Sequence, residues 1–169
     1  NWTVGEIGTM SASIGILVHY LAEHPELQER LRVDPSLLPA AIDEILRLQG
    51  PLVTNRRVTT RAVEFGGRTF EAGERLSLNW VAANRDPRSF ADPAAFSLDR
   101  DPSQNLLYGA GIHVCPGAPL ARMELRLAME ALLAQTVRIE LNPETQPVWA
   151  AYPASGFATL PVRVQAVSG

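Results

Sequence analysis

Apolar positions recur at helical spacing near the start of the chain. Ile7, Ile14, Leu17, Val18 and Leu21 mark one face of a helix expected from Trp2 to about His24. The His24-Pro25 step ends it, because a residue before proline is pushed out of the helical region. Pro25 suits the first turn of a second, short helix to about Arg32. After the turn Asp34-Pro35-Ser36, a third helix is predicted from Pro39 through Gln49, stopped by Gly50-Pro51. From Leu52 the pattern changes to short strands at Arg57–Thr60, Ala62–Phe65 and Arg68–Phe70, with Gly66-Gly67 turning the chain. Leu76–Asn84 returns to an apolar segment and reads as a short helix. Asp86–Gln104 is rich in Pro, Asp and Ser and has no period, and loops of that length in a compact domain usually carry function or wrap something. Pro119 to about Gln135 is the clearest helix. It has Ala121, Leu125, Ala128 and Leu132 in one apolar row and Arg122, Arg126 and Glu130 on another face. The tail from Val137 to Gly169 reads as strands and turns and offers no candidate chemistry. The expected fold class is mainly α with small β-sheets.

Composition adds boundaries to that picture. A hydrophobic fraction of 46% and a charged fraction of 20% over 169 residues are those of one globular domain with a real core. A net charge of -3 gives no general reason to expect nucleic acid. The single cysteine excludes an internal disulfide and fits a reducing compartment. The first apolar run is broken by Glu6 and His19, so no signal peptide is expected, and no stretch is long and uncharged enough to span a bilayer. A cytoplasmic protein without a membrane or nucleic-acid partner is the expectation.

Candidate chemistry concentrates in Tyr108-Gly109-Ala110-Gly111-Ile112-His113-Val114-Cys115-Pro116-Gly117. Glycines let a backbone take positive φ and approach a flat ligand, and a thiolate at the mouth of the following helix is stabilised by that helix's positive end. One sulfur on a rigid loop suits an axial ligand of heme iron better than a zinc site, which needs several ligands. A lone structural cysteine is the ordinary alternative. Elsewhere, Gly5 and Gly8 each cost a helix interior about 1 kcal/mol, and Thr9 can turn its hydroxyl back to the Gly5 carbonyl. Both a groove for a small ligand and close helix packing fit that pattern. Glu44 and Arg47 share a helix face, a pair worth a few tenths of a kcal/mol when exposed and structural only with burial and a third partner.

The cysteine loop resembles the heme-binding signature of the cytochromes P450, Phe-x-x-Gly-x-His-x-Cys-x-Gly, with Tyr108 in place of the Phe and Gly111, His113, Cys115 and Gly117 matching. Glu44-Ile45-Leu46-Arg47 is similar to the family's Glu-x-x-Arg motif. Ala83-Asn84-Arg85-Asp86-Pro87 with Asp92-Pro93, Phe96 and Arg100 resembles the bacterial form of its meander. Gly117-Ala118-Pro119-Leu120-Ala121-Arg122 is typical of its soluble bacterial members.

The resemblance implies the carboxy-terminal portion of the cytochrome P450 fold, with 1–169 as a single partial domain, the carboxy-terminal half of the family's heme domain. It implies heme b (iron protoporphyrin IX) with Cys115 as the iron's thiolate ligand. Tyr108, Gly109, Gly111 and Gly117 would line the cofactor, and His113 and Arg57 would hold its propionates. It implies a heme-thiolate monooxygenase using O2, a small organic substrate and electrons from a ferredoxin or flavin reductase. Arg122 and Arg126 are expected to offer positive charge to that donor. Glu44 and Arg47 become a buried network holding the meander. Ala95 stands where the family has that network's third member, an Arg, so Arg85 or Arg100 is expected to substitute.

Thr9 falls at the family's oxygen-side threonine, preceded by Gly8 rather than the usual acid, with Glu6 as the nearby carboxylate for proton delivery. Pro116 has no N–H to offer the sulfur, which should lower the iron's potential. Two other readings stay open. One is a heme-free truncated relative acting as an interaction module. The other is a heme protein with peroxide-driven or rearrangement chemistry.

Overall fold

The computed structural model describes residues 7–152 and 155–167. A π-helical turn at Ile7 and Gly8 leads into α1 (Thr9–Glu23), which buries Ile16, Leu17 and Leu21 together with Ser13 and His19. α1 stops as expected before Pro25, and the His24 carbonyl accepts the free N–H groups of Leu27 and Gln28 at the start of α2 (Pro25–Val33). Asp34 caps the next single turn by accepting the Ser36 N–H at 3.0 Å. α3 (Leu38–Leu48) packs Leu38, Ala41, Ile42, Ile45 and Leu46 onto α1 and onto the last helix. Those apolar positions fall at helical spacing, so a single face of α3 carries the core.

Between α3 and that helix the chain is mostly irregular. β1 (Thr54–Val58) pairs antiparallel with β4 (Arg75–Asn79), Thr54 opposite Asn79 and Val58 opposite Arg75. The helix expected over Leu76–Asn84 is therefore half wrong. Arg75–Asn79 is a strand because β1 supplies its backbone partners, and only α4 (Trp80–Ala83) is helical, capped by the Asn79 side chain. β2 (Val63–Phe65) and β3 (Arg68–Phe70) form a hairpin through Gly66 and Gly67, both at positive φ as the tight turn requires.

α5 (Ala118–Gln135) crosses the same core and buries Ala118, Leu125, Met129 and Leu133. The apolar row expected at Ala121, Leu125, Ala128 and Leu132 is thus rotated: Met129 and Leu133 reach the centre, while Ala128 and Leu132 pack partly buried beside it. The tail supplies β5 (Thr136–Leu141) paired with β8 (Val162–Ala166), and β6 (Val148–Trp149) paired with β7 (Phe157–Thr159). Buried Gln28 ties β5 to the helices. Its Nε2 donates to the carbonyls of Leu21 at 2.7 Å and Ile139 at 2.8 Å, and its Oε1 accepts the Ile139 N–H at 3.1 Å. Among the described residues no helix is long and apolar enough to cross a membrane.

Candidate functional site

The irregular stretch after α4 is held by one buried cation. Arg47 is fully enclosed, 0% exposed, and all five of its donors are used. Nε and Nη2 bond the Glu44 carboxylate at 2.7 and 2.9 Å. Nη1 bonds the carbonyls of Asn84 at 2.7 Å and Pro93 at 2.9 Å, and Nη2 reaches the Ala95 carbonyl at 3.2 Å. The Phe90 ring lies 5.0 Å from its Cζ.

The expected third member is Arg100. Its Nε bonds Glu44 Oε1 at 2.8 Å, and its other nitrogens hold the carbonyls of Ala91, Asp92 and Ala95. The substitution of Ala95 for Arg is thereby compensated from five residues downstream, and the Ala95 carbonyl serves both arginines. Arg85 does not join this network; its Nε donates to the Leu48 carbonyl at 3.0 Å. Burial pushes the Glu44 carboxyl up, but the hydrogen bonds from Arg47 and Arg100 outweigh it and leave the group below its ordinary value. Spacing could find the Glu44–Arg47 pair but not its burial, which comes from a loop some 40 to 50 residues away.

That loop leads directly to the cysteine. The buried Asn84 side chain accepts the Leu106 N–H at 2.7 Å, and Asn105 donates to the Asp43 carbonyl at 3.1 Å. The Cys115 N–H then donates to the Tyr108 carbonyl at 2.8 Å, closing the loop on itself. Gly109 and Gly111 take φ of 76° and 64°, which side chains rarely adopt, and a Cβ at Gly109 would stand 3.4 Å from the His113 carbonyl oxygen. α5 begins at Ala118, three residues past Cys115, with the Ala118 N–H on the Cys115 carbonyl.

Tyr108 lies under the Arg122 guanidinium, 4.5 Å from Cζ to ring centroid. Burial pushes its phenol up to about 12, with the Asp43 carboxylate adding to the rise and Arg122 opposing it. Asn84, Asn105 and Asp43 are functional placements that periodicity and motif spacing did not single out as parts of a network.

The remaining candidates are dispersed. Thr9 opens α1 directly after the π-helical turn, and Gly8 beside it has open space where a Cβ would stand. Glu6 and Gly5 lie outside the described residues. Arg57 sits half-buried on β1 opposite Leu76, with Nη1 on the Arg56 carbonyl, and His113 is exposed in the single turn Gly111–His113. Arg126 pairs with Glu130 one turn on at 2.7 Å, and Arg122 pairs with Asp43 at 3.0 Å, so neither is a bare charge. The tail has a structural part near α1: a Cβ at Gly156 would press within 3.2 Å of the Ala12 carbonyl oxygen, and Ser155 bonds the Gly50 carbonyl.

The residues around the sulfur fit a heme. Cys115 is a free, exposed thiol. Among the described residues no three His, Cys, Asp or Glu side chains converge as a metal site, so this donor set does not suit zinc, which takes several protein ligands. It would suit a metal held in a cofactor that needs only one ligand from the protein, a thiolate. Ile112 is 95% exposed and Val114 52%, an apolar rim beside the thiol. At Gly117 a Cβ would stand 3.8 Å from the Cys115 Sγ, with no other described side chain or distant backbone atom within 4 Å, so glycine keeps that side clear for a broad flat group.

Comparison with known proteins agrees with this geometry. A family model described as Cytochrome P450 matches residues 34–166. Cyclomarin C epoxidase of Salinispora arenicola is 42% identical over 134 residues, covering 79% of this chain and 34% of that protein. The 6-deoxyerythronolide B hydroxylase of Saccharopolyspora erythraea is 38% identical over 153 residues, covering 89% of this chain and 38% of its own. Among solved structures, substrate-free cytochrome P450 CYP150A6 of Mycobacterium marinum superposes with a TM-score of 0.94 at 30% identity, over 99% of this chain and 43% of that one. A post-tailoring hydroxylase involved in himastatin biosynthesis gives 0.90 at 37% identity, over 96% and 44%. The chain spans about a third of the length of the curated relatives it matches.

Proposed function

The chain belongs to the cytochrome P450 family, and on that premise we propose that residues 1–169 are the heme-ligating, carboxy-terminal portion of a bacterial heme-thiolate monooxygenase. The observation that carries the reading is the exposed Cys115 thiol, set by the Tyr108 carbonyl beside an apolar rim and a side-chain-free Gly117. The reaction class is insertion of one atom of O2 into a small organic substrate. The second atom leaves as water, and two electrons come from a ferredoxin or flavin reductase. Heme b, held by the Cys115 thiolate, would supply the oxygen-activating redox chemistry.

The chain's own residues have separate tasks. Cys115 ligates through Sγ. His113 and Arg57 supply N–H donors to the propionates, as buried carboxylates require. Gly109, Gly111 and Gly117 keep the approach open, and Tyr108 lies at the loop's edge. Glu44, Arg47 and Arg100 hold the stretch that carries the loop. Thr9 offers a hydroxyl that passes a proton through water on the distal side, with Glu6 as its source. The protein works in the cytoplasm.

The test is the absorption spectrum of the full chain, reduced and under carbon monoxide. The red-shifted Soret band of thiolate ligation is expected, and Cys115→Ser should abolish it. A wild-type protein with no Soret band would sink the reading and favour a heme-free relative serving as an interaction module.

Gly8 favours one variation, peroxide-driven oxygenation, because no acid stands immediately before Thr9. A Gly8→Asp side chain has room. Improved coupling of O2-driven turnover in that variant would assign the missing acid as the limitation. No improvement would reject that account of Gly8.

A further inference from the structure

Arg122 reads from sequence as a cation on the face of α5 offered to an electron donor, and its surroundings give it a second task. Its guanidinium is engaged twice. Nη2 and Nε lie 3.0 and 3.1 Å from Asp43 Oδ2, and its flat face covers the Tyr108 ring with 4.5 Å from Cζ to centroid. Both partners belong to other parts of the site. Asp43 immediately precedes Glu44 on α3, and its carbonyl accepts the Asn105 side chain at 3.1 Å. The Tyr108 carbonyl receives the Cys115 N–H at 2.8 Å. Arg122 therefore joins three elements: α5, which carries it, α3 through Asp43, and the cysteine loop through Tyr108.

The planar, delocalised guanidinium is the side chain suited to stacking and a forked contact at once; a lysine ammonium cannot do both. The Asp43 carboxylate is only 17% exposed and Arg122 50%. The contact is thus better shielded than an ordinary surface pair, which is worth little.

We infer that Asp43, Arg122 and Tyr108 form a clamp that positions the Cys115 loop, and that Arg122 is a positioning residue rather than a docking charge for an electron donor. The clamp fixes the Tyr108 carbonyl, and that carbonyl fixes the backbone from which Sγ is presented. It acts independently of the Glu44–Arg47–Arg100 network, although Asp43 and Glu44 are neighbours in sequence. The clamp on the loop stands on the contacts alone; its consequence for the heme rests on the function proposed above.

Hydrogen exchange of the amides in 108–117, measured on the full chain, reads the clamp directly and needs no heme. Arg122→Ala should speed exchange of the Cys115 amide roughly tenfold, the loss of a cation–π contact and a partly shielded ion pair. Amides buried in α3 should not change. Tyr108→Phe keeps the ring face and should leave exchange as in wild type, whereas Tyr108→Leu should reproduce Arg122→Ala. In heme-loaded protein the same two disruptive variants should lower the fraction of carbon monoxide complex showing thiolate ligation.

Unchanged loop exchange in Arg122→Ala overturns the clamp. If donor-supported turnover then falls in a salt-dependent way, Arg122 belongs to the partner surface instead. If wild type shows no thiolate band, the proposed function falls and the exchange result still decides the clamp.

Discussion

Two irregular stretches frame the site, and they are held by opposite means. Residues 84–100 are wrapped around the buried Arg47: Arg47 and the half-buried Arg100 together donate to this stretch's carbonyls, and the Glu44 carboxylate accepts from both. The cysteine loop at 108–117 has almost nothing buried in it. It keeps its shape through backbone hydrogen bonds, two glycines at positive φ and one guanidinium lying on Tyr108. The first stretch is a foundation whose failure is costly. The second leaves its sulfur exposed, with no covering from the described residues. The difference teaches that order in a loop does not require burial of the loop itself, only of what it is anchored to.

Arg47→Ala should show the contrast at its greatest. It leaves Glu44 enclosed with one partner fewer and strips the carbonyls of Asn84 and Pro93, so a loss of about 3–5 kcal/mol is expected in chemical denaturation. A loss under about 1 kcal/mol would mean that water or Arg100 replaces it, and the foundation would be less singular than its geometry implies.

The same network gives the stretch an acid limit of its own. The Glu44 carboxyl is held below its ordinary value, so its contribution is present above the unfolded-state pKa of about 4.3 and is lost as pH falls through the lower folded value. Hydrogen exchange at 84–100 should therefore rise on acidification below about pH 4. Unchanged exchange at 84–100 over that range would show that the Glu44 carboxylate does not hold the stretch.

On the other side of the comparison, Gly109→Ala should cost about 1–2 kcal/mol, because its φ of 76° strains any L side chain. Gly117→Ala, at φ -84° and in no more than ordinary contact with the Cys115 Sγ at 3.8 Å, should leave stability unchanged and instead reduce heme occupancy in a loading assay. Equal stability losses at the two positions would contradict the distinction between a shape-setting and a space-keeping glycine.

The smallest effect belongs to Arg126→Ala. Its pairing with Glu130 is exposed and one turn apart, worth about 0.3–0.5 kcal/mol, and thermal unfolding should barely register it.

Much of this was legible in the sequence, and for identifiable reasons. Helix ends at His24-Pro25 and Gly50-Pro51, and the turn at Gly66-Gly67, follow from local dihedral restrictions that no distant contact overrode. The strand at Arg75–Asn79 was not legible as one, because its apolar residues suit either state and its partner lies some 20 residues upstream. The rotation of the buried row on α5 was likewise a matter of which neighbours it met.

Sequence by itself determined the helical framework, the single thiol and the glycine-bracketed loop that presents it, since each depends on residues within a turn or two. Tertiary structure alone decided which arginine does what. Arg85, Arg100 and Arg122 are equally plausible cations along the chain. One binds a lone carbonyl, one completes a buried carboxylate network, and one lies across the ring whose backbone carbonyl holds Cys115 in place. A long charged side chain can reach many partners, and only the packed fold fixes which carboxylate or ring lies within its reach.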